Sequence, residues 1–395
     1  MRESGCPSPI RFGTMRTITR FNFLADPDPI DLLDAGRFDE FLDAAVATYS
    51  VDGATYETPV PEKKKSTRTL SLLNVTEGDE DDENAIIVTG DGFKAEFRDG
   101  TLASLAYDGK DVLKAGPQPE VYRAPVDNDK WIFDKEPGKS LSATIESSPR
   151  AVKAPMATDE DDANKEENAD LCWKRTENGD VCVTSNQWLT LARKISCRIH
   201  TTWNIARDGT ITVKAAVTPT ASNISVYRNG FSLILDGAYS RVSYLGYGPH
   251  ENYRDRRHAA WFDRFDTTVQ GMIEPYVKSQ SYGNRIGTKN VILYGDDEDL
   301  PAVSFTLLKN ENDGTELPGM EFSVSPWTEA EIAESYTRDR LPEPGEKTVL
   351  HLDSVVSGLG GASCGPEPLQ EYKVGNRDFT LEYVIAPFRS KHIPK

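Results

Sequence analysis

Ile195-Ser-Cys-Arg-Ile-His-Thr-Thr-Trp-Asn-Ile205, then Asp208-Gly209, then Ile211-Thr-Val-Lys-Ala-Ala-Val217, is the stretch that decides the fold. Ile195, Cys197, Ile199, Thr201, Trp203 and Ile205 fall on one side of an extended chain, and Ser196, Arg198, His200, Thr202 and Asn204 on the other. A period of two is the period of a strand, so this pattern predicts one buried and one wet face. Asp208-Gly209 reads as a turn, and Ile211, Val213, Ala215 and Val217 resume the alternation in the returning strand.

The same grammar extends in both directions. Phe93, Ala95 and Phe97 alternate before Asp99-Gly100, and Ala103, Leu105 and Tyr107 alternate before Asp108-Gly109. Further strands are predicted at Phe231–Leu235, Val303–Leu307, Met320–Val324 and Phe379–Ile385. One helix is predicted in this half, where Thr328 and Glu331 form a capping box ahead of Ile332 and Tyr336. Many antiparallel strands with little helix predict a mainly β protein built as a large antiparallel β-sandwich. Residues 1–83 stand apart as an irregular N-terminal extension of uncertain fold with a linker. In it Leu32, Leu33, Phe38, Phe41, Leu42 and Val46 have the spacing of one amphipathic helix. The β-domain is expected over residues 84–390.

Composition narrows the function. A formal net charge of −18 over 395 residues argues against nucleic acid or an anionic membrane as a partner. The acidic runs at 77–83 and 159–162 read as solvated loops, as does the polar stretch 152–170. Five scattered cysteines without Cys-x-x-Cys spacing argue against a disulfide framework or a zinc site and fit a reducing, cytoplasmic compartment. Met1–Cys6 lacks the apolar stretch of a signal peptide, and Met15 offers a second start. No apolar run reaches the ~20 residues a bilayer requires.

Four segments carry a resemblance. Tyr122-Arg-Ala-Pro-Val-Asp-Asn-Asp129 is the first. The second is Tyr244-Leu-Gly-Tyr-Gly-Pro-His-Glu-Asn-Tyr-Arg-Asp-Arg-Arg257, running on to Asn284-Arg-Ile-Gly-Thr288. The third is His351-Leu-Asp353 with Gly358-Leu-Gly-Gly361 and Cys364-Gly-Pro366, and the fourth is Phe379-Thr-Leu-Glu-Tyr383. In this order they resemble the C-terminal domain, or separate small chain, of bacterial β-galactosidases of glycoside hydrolase family 2. The resemblance covers about residues 84–387 and leaves 1–83 unmatched. It implies the wide two-sheet supersandwich shared with galactose mutarotases. It also implies retaining hydrolysis of terminal β-galactosides, with the catalytic large chain as partner and the β-galactoside as substrate. No cofactor is expected in this chain; Mg²⁺ and Na⁺ in the whole enzyme are implied by the resemblance alone.

No catalytic residue is assigned. Glycoside hydrolysis needs two carboxylates across the scissile bond. Asp127/Asp129, Asp263/Asp266 and Glu251/Asp255 are pairs without a distinctive context, and in the resembled family the two glutamates belong to a separate barrel domain. Asp127, Asn128 and Asp129 could offer oxygens to a hard cation, but Asx side chains more often satisfy backbone N–H groups in turns, so no metal is assigned. Arg123 reads as a guanidinium fork for a neighbouring carboxylate or loop, and the motif as support for an interface to the partner. His250 and Glu251 could move protons as in a mutarotase; the stronger reading is a loop lock shared with Asn252, Tyr253, Arg256 and Asp263. Trp188 and Trp203 alternate with apolar residues and are expected in the core. The glycine-dense loop 358–366 must fold tightly or approach another surface closely. In the resembled family it often carries a tryptophan that lines the galactoside pocket, and here Cys364 stands in that place, so Ser363 and Cys364 are the candidate substrate-binding residues. Two rival functions stay open: a self-sufficient mutarotase-like sugar epimerase, and a non-catalytic carbohydrate-binding scaffold.

Overall fold

The computed structural model describes residues 46–51, 54–59, 71–78, 85–129, 146–147, 171–191, 195–219, 225–312, 319–361, 364–366, 368–375 and 377–388. Two large antiparallel sheets dominate them. The first sheet has ten strands, ordered Trp261–Thr268, Arg241–Gly248, Asn290–Tyr294, Ala302–Asn312, Phe379–Phe388, Ile211–Pro219, Ile195–Ile205, Val181–Leu191 and Glu146–Ser147, with Leu171–Arg175 also paired to Val181–Leu191. The second has nine, ordered Arg285–Thr288, Met320–Ser325, Lys347–Val356, Arg228–Asp236, Lys110–Glu120, Thr101–Tyr107, Phe93–Arg98, Ile86–Gly90 and Asn74–Glu77.

The opening stretch behaves as its period requires. Cys197, Ile199, Thr201, Trp203 and Ile205 are buried, while Arg198, His200 and Asn204 are exposed. Cross-strand pairing lines up Val183, Trp203, Val213, Tyr383 and Leu307 in one row. All five are buried, so the row forms one face of a continuous core. The opposite face of that core comes from the second sheet. Phe97 meets Trp203 edge-on with ring centroids 5.3 Å apart. Phe231 lies 6.2 Å from Phe379 and Phe322 4.9 Å from Tyr244. Polar bolts cross at the margin, where the Tyr107 hydroxyl donates to the Gly209 carbonyl (2.7 Å) and the Ser185 hydroxyl to that of Gly100 (2.7 Å). Burying one large apolar side chain in such a seam contributes roughly 1.5–3 kcal/mol.

The turns follow from their residues. Asp99 and Gly100 have φ of 50° and 75°, and Asp108 and Gly109 have 49° and 74°. Two left-handed central residues make the tight hairpin turn whose twist matches its strands. Ala103, expected inward with Leu105, is instead the extra residue of a bulge. The register slips between Glu96 and Phe97, and Leu102 takes the core position.

The second sheet departs from the expectation of one wet face. Leu350 and Leu352 belong to the seam, so alternation turns His351 and Asp353 to the outer face. Both are buried, as is every residue of Met320–Ser325. That polar outer face lies under irregular chain. Ala124, Tyr282, Trp327 and Ile332 form a second apolar cluster, with Ile273, Tyr276 and Leu341 packed against it. The helix Glu329–Glu334 belongs to this layer, and its capping box at Thr328 and Glu331 is present. It ends at Glu334, short of Tyr336, which lies beyond the helix and is exposed.

The helix expected around residues 31–46 lies outside the described residues, except Val46, which begins a strand paired with Ala54–Pro59. Glu77 ends the strand Asn74–Glu77 and Gly78 follows it, its N–H bonded to the Ala85 carbonyl (2.9 Å); residues 79–83, the stretch 152–170, Cys6 and the Trp188 side chain lie outside the described residues. No described helix is long and apolar enough to cross a membrane.

Candidate functional site

Arg123 is buried immediately after the last residues of the strand Lys110–Glu120. Its guanidinium grips the Asp129 carboxylate with two bonds of 3.0 Å. The same fork donates to the carbonyls of Ser357 (2.7 Å) and Gly358 (3.2 Å) and lies over the Tyr227 ring. Burial opposes the charge, but Asp129 beside it raises the Arg123 pKa above its ordinary value. Asp129 also accepts from the Val126 N–H (3.1 Å), closing the short turn Asp127–Asp129. Asn128 donates to the carbonyls of Leu359 (2.8 Å) and Gly360 (2.6 Å). Asp127 is exposed, its backbone N–H bonded to Gln280 (3.2 Å) and its carboxylate 3.4 Å from Lys278. With Asp129 committed to Arg123 and Asp127 facing an ammonium, this donor set does not fit a hard cation. Among the described residues no other group of His, Cys, Asp and Glu is arranged to hold a metal ion.

The second motif locks a loop. Asn252 donates to the carbonyls of Tyr247 (3.0 Å) and His250 (2.9 Å) and accepts from the Ile286 N–H (2.9 Å). Glu251 is buried; it accepts from Arg256, from the Tyr276 hydroxyl and from the Gly283 N–H (2.9 Å). Burial, with Glu251 adding to it, pushes the Tyr276 hydroxyl up to about 12. Tyr253 is buried under Arg256, whose guanidinium sits 5.4 Å from the ring centre. The His250 side chain is exposed, and its backbone carbonyl joins the lock. Asp263 sits in the strand Trp261–Thr268, where it accepts from the adjacent Arg264 N–H (2.8 Å).

Sequence reasoning missed the charged layer beneath these loops. Arg228, buried on the second sheet, places its guanidinium 3.2 Å from Glu329, 3.4 Å from Asp353 and 3.8 Å from Glu120. His351 stands 2.9 Å from Glu120 and 3.2 Å from Ser323. Glu329 accepts from the Ala124 N–H (2.6 Å) and the Ser281 hydroxyl (2.9 Å), tying helix, motif and loop together. Asn284 donates to Glu321 (2.6 Å). Burial raises Asp353 to about 6, against the pull of Arg228, and raises Glu321 to about 7, against the Asn284 bond. Glu120 moves the other way: His351 and Arg228 outweigh burial and lower it. The signal for this layer was the polar half of each alternation, His351 and Asp353 or Glu321 and Ser323, which a period of two assigns to solvent.

The glycine loop is the point of convergence. Arg123 and Asn128 hold its carbonyls, and from the other side Asp255 accepts from the N–H groups of Leu359 (3.0 Å) and Gly360 (2.7 Å). Gly361 N–H donates to the Pro366 carbonyl (2.9 Å) and Cys364 N–H to that of Gly361 (3.0 Å). Cys364 is exposed, its thiol turned to solvent rather than packed. Ser363 lies outside the described residues. The close His–carboxylate pair, His351 with Glu120, is sealed beneath the loops rather than opened on a sheet face.

The described residues form a two-sheet sandwich whose buried polar layer carries three interlocked motif loops. The family model for the beta galactosidase small chain matches residues 89–385, and the chain belongs to that family. A β-galactosidase of Staphylococcus xylosus is 29% identical over 46% of this chain and 18% of its own length. One of Actinobacillus pleuropneumoniae is 25% identical over 74% of this chain and 25% of its own length. The chain thus spans about a fifth to a quarter of these two relatives. A galactose 1-epimerase structure from Lactobacillus acidophilus superposes with a TM-score of 0.32 at 8% identity, covering 81% of this chain and 99% of that one.

Proposed function

We propose that this chain is the small chain, or severed C-terminal domain, of a β-galactosidase and that it supplies one wall of the galactoside pocket. The observation that carries the reading is the convergence of the first three family motifs on the loop that ends in exposed Cys364. Six backbone groups of residues 357–360 are held by Arg123, Asn128 and Asp255. A loop fixed so thoroughly is suited to presenting a surface with little play, and small misplacements at a reacting centre cost large factors in rate. Cys364 forms the substrate-facing part of that wall. Arg123, Asp127, Asn128 and Asp129, with Glu251, Asn252, Tyr253 and Arg256, support it and the interface.

The two catalytic carboxylates come from a catalytic large chain. Hydrolysis runs with retention through a covalent glycosyl intermediate on that partner. The Asp127–Asp129 turn is not a cation site of the assembled enzyme, because Arg123 and Lys278 already face its two carboxylates. The described cysteines, at 172, 182, 197 and 364, are thiols, which fits a reducing, cytoplasmic setting. The purified chain is expected not to cleave a chromogenic β-galactoside, and to support cleavage once a catalytic large chain of the family is added. Hydrolysis by the chain alone, surviving stringent purification, overturns the assignment. Cys364→Trp should change the affinity of the reconstituted enzyme for galactoside, and an unchanged affinity removes the loop from the pocket.

A further inference from the structure

We propose that Asp255 is the positioning residue of the glycine loop, setting where the Cys364 tip projects; the functional meaning of this placement rests on the pocket-wall reading above. Tyr253 and Arg256 exchange backbone bonds in both directions, 3.1 Å and 2.9 Å, so Arg254 and Asp255 form the tip of a tight turn. Beneath that tip, Asn252 and Glu251 bind the turn to 283–286. Asp255 is therefore delivered from a rigid base. Its two carboxylate oxygens take one N–H each, from Leu359 and from Gly360. Successive backbone N–H groups converging on one anion form a nest, and bonds to an ionised acceptor are about twice as strong as neutral ones.

One glycine of the loop is explained by this contact and a second by the turn that follows it. A Cβ on Gly358 would stand 2.7 Å from the Asp255 carboxyl carbon. Gly360 has φ of 61°, and a Cβ there would meet the Pro368 ring at 2.4 Å. Gly358 leaves room for the carboxylate, and Gly360 supplies the left-handed step by which the chain turns past Pro368 once its N–H is bound. The Arg123 guanidinium and the Asn128 amide nitrogen hold carbonyls of 357–360 as donors, while Asp255 supplies the acceptors for the Leu359 and Gly360 N–H groups.

The test is amide hydrogen exchange on the full chain. In Asp255→Ala, exchange at Leu359 and Gly360 should rise about tenfold or more, as expected when a charge-assisted bond is lost. The amides of the strand Lys347–Val356 should keep their rates. Gly358→Ala should reproduce the loop effect by expelling the carboxylate, and should add nothing once Asp255 is alanine. Unchanged loop exchange in Asp255→Ala overturns the proposal; so does acceleration spread through Lys347–Val356, which marks a residue that merely supports the fold. In the enzyme reconstituted with a catalytic large chain, Asp255→Ala should raise KM for the galactoside more than it lowers kcat. A loss confined to kcat contradicts the proposal. If no mixture is active, the pocket-wall reading fails, while the exchange result still decides the role of Asp255 in placing the loop.

Discussion

The two faces of the second sheet are built from the same alternating strands and do opposite work. On the inner face Leu350, Leu352, Phe322 and Val324 close the seam against the first sheet. On the outer face His351, Asp353, Glu321 and Ser323 are equally buried but charged or polar. The inner face is non-directional, because apolar burial scales with area and tolerates many partners. The outer face is directional: a buried carboxylate is stable only against particular donors at particular distances. The difference explains why the functional loops rest on the second face. Loops tied to Glu329 through the Ala124 N–H and the Ser281 hydroxyl have few alternative positions, whereas a greasy surface would let them slide.

The largest effects should separate the faces. Trp203→Ala empties a fully buried site in the seam and should cost about 3–5 kcal/mol in chemical denaturation. Arg228→Met should cost a similar ~3–5 kcal/mol, because Glu120, Glu329 and Asp353 lose their shared cation. The two differ in what restores stability. Adding Asp353→Asn to Arg228→Met should recover part of the loss, while no charge change should rescue Trp203→Ala. Equal behaviour of the two variants towards Asp353→Asn would erase the distinction between the faces.

The second test is pH. Burial raises Glu321 from its ordinary value of 4.5 to about 7. A group with a raised folded-state pKa contributes stability that is fully present below the unfolded pKa and lost as pH rises through the folded one. Stability should therefore fall by an increment on the order of 2–3 kcal/mol between about pH 4.5 and pH 7 on account of this side chain. Asp353, raised to about 6, acts in the same direction over a lower window. Glu321→Gln should flatten that slope in a series of urea titrations, and Trp203→Ala should leave it in place. A wild-type slope that survives in Glu321→Gln would mean the pH response lies elsewhere.

These tests also mark where sequence reasoning stopped. The seam was legible because alternation plus Asp-Gly turns names both strand and inward face, as at Cys197 to Ile205 and at Asp99-Gly100. The capping box at Thr328 was legible because its two partners are three residues apart. Arg123 with Asp129 was readable in outline for the same reason, a fork and a carboxylate six residues apart. The outer layer was not: Arg228 and Glu329 are 101 positions apart, and Asp255 and Leu359 are 104 apart. A period of two says that His351 and Asp353 face away from Leu352, but not that chain from three other regions covers them. Even Ala103 misled, because a one-residue bulge moves a side chain without altering the composition that predicts the strand.

Arg123→Lys is expected to have a smaller effect, about 1–3 kcal/mol. An ammonium keeps the charge but cannot hold Asp129 bidentately and reach Ser357 and Gly358 together. Loop amides at 357–360 should exchange faster in this variant than seam amides at 349–352.

The smallest predicted effect is the most discriminating for the layered arrangement. Thr328→Ala removes the side chain that accepts from the Glu331 N–H (3.2 Å) and should cost ~1 kcal/mol, the usual size of a lost N-cap. The helix it caps is six residues long and contributes Glu329 to the Ala124 N–H and to Arg228. If the outer layer is one coupled network, the loss should appear beyond the helix, as faster exchange at the Ala124 amide, and should be non-additive with Arg228→Met. If the two losses simply add and Ala124 keeps its protection, the helix is an independent cover, and the directional face is narrower than the distances among Arg228, Glu329 and Ala124 imply.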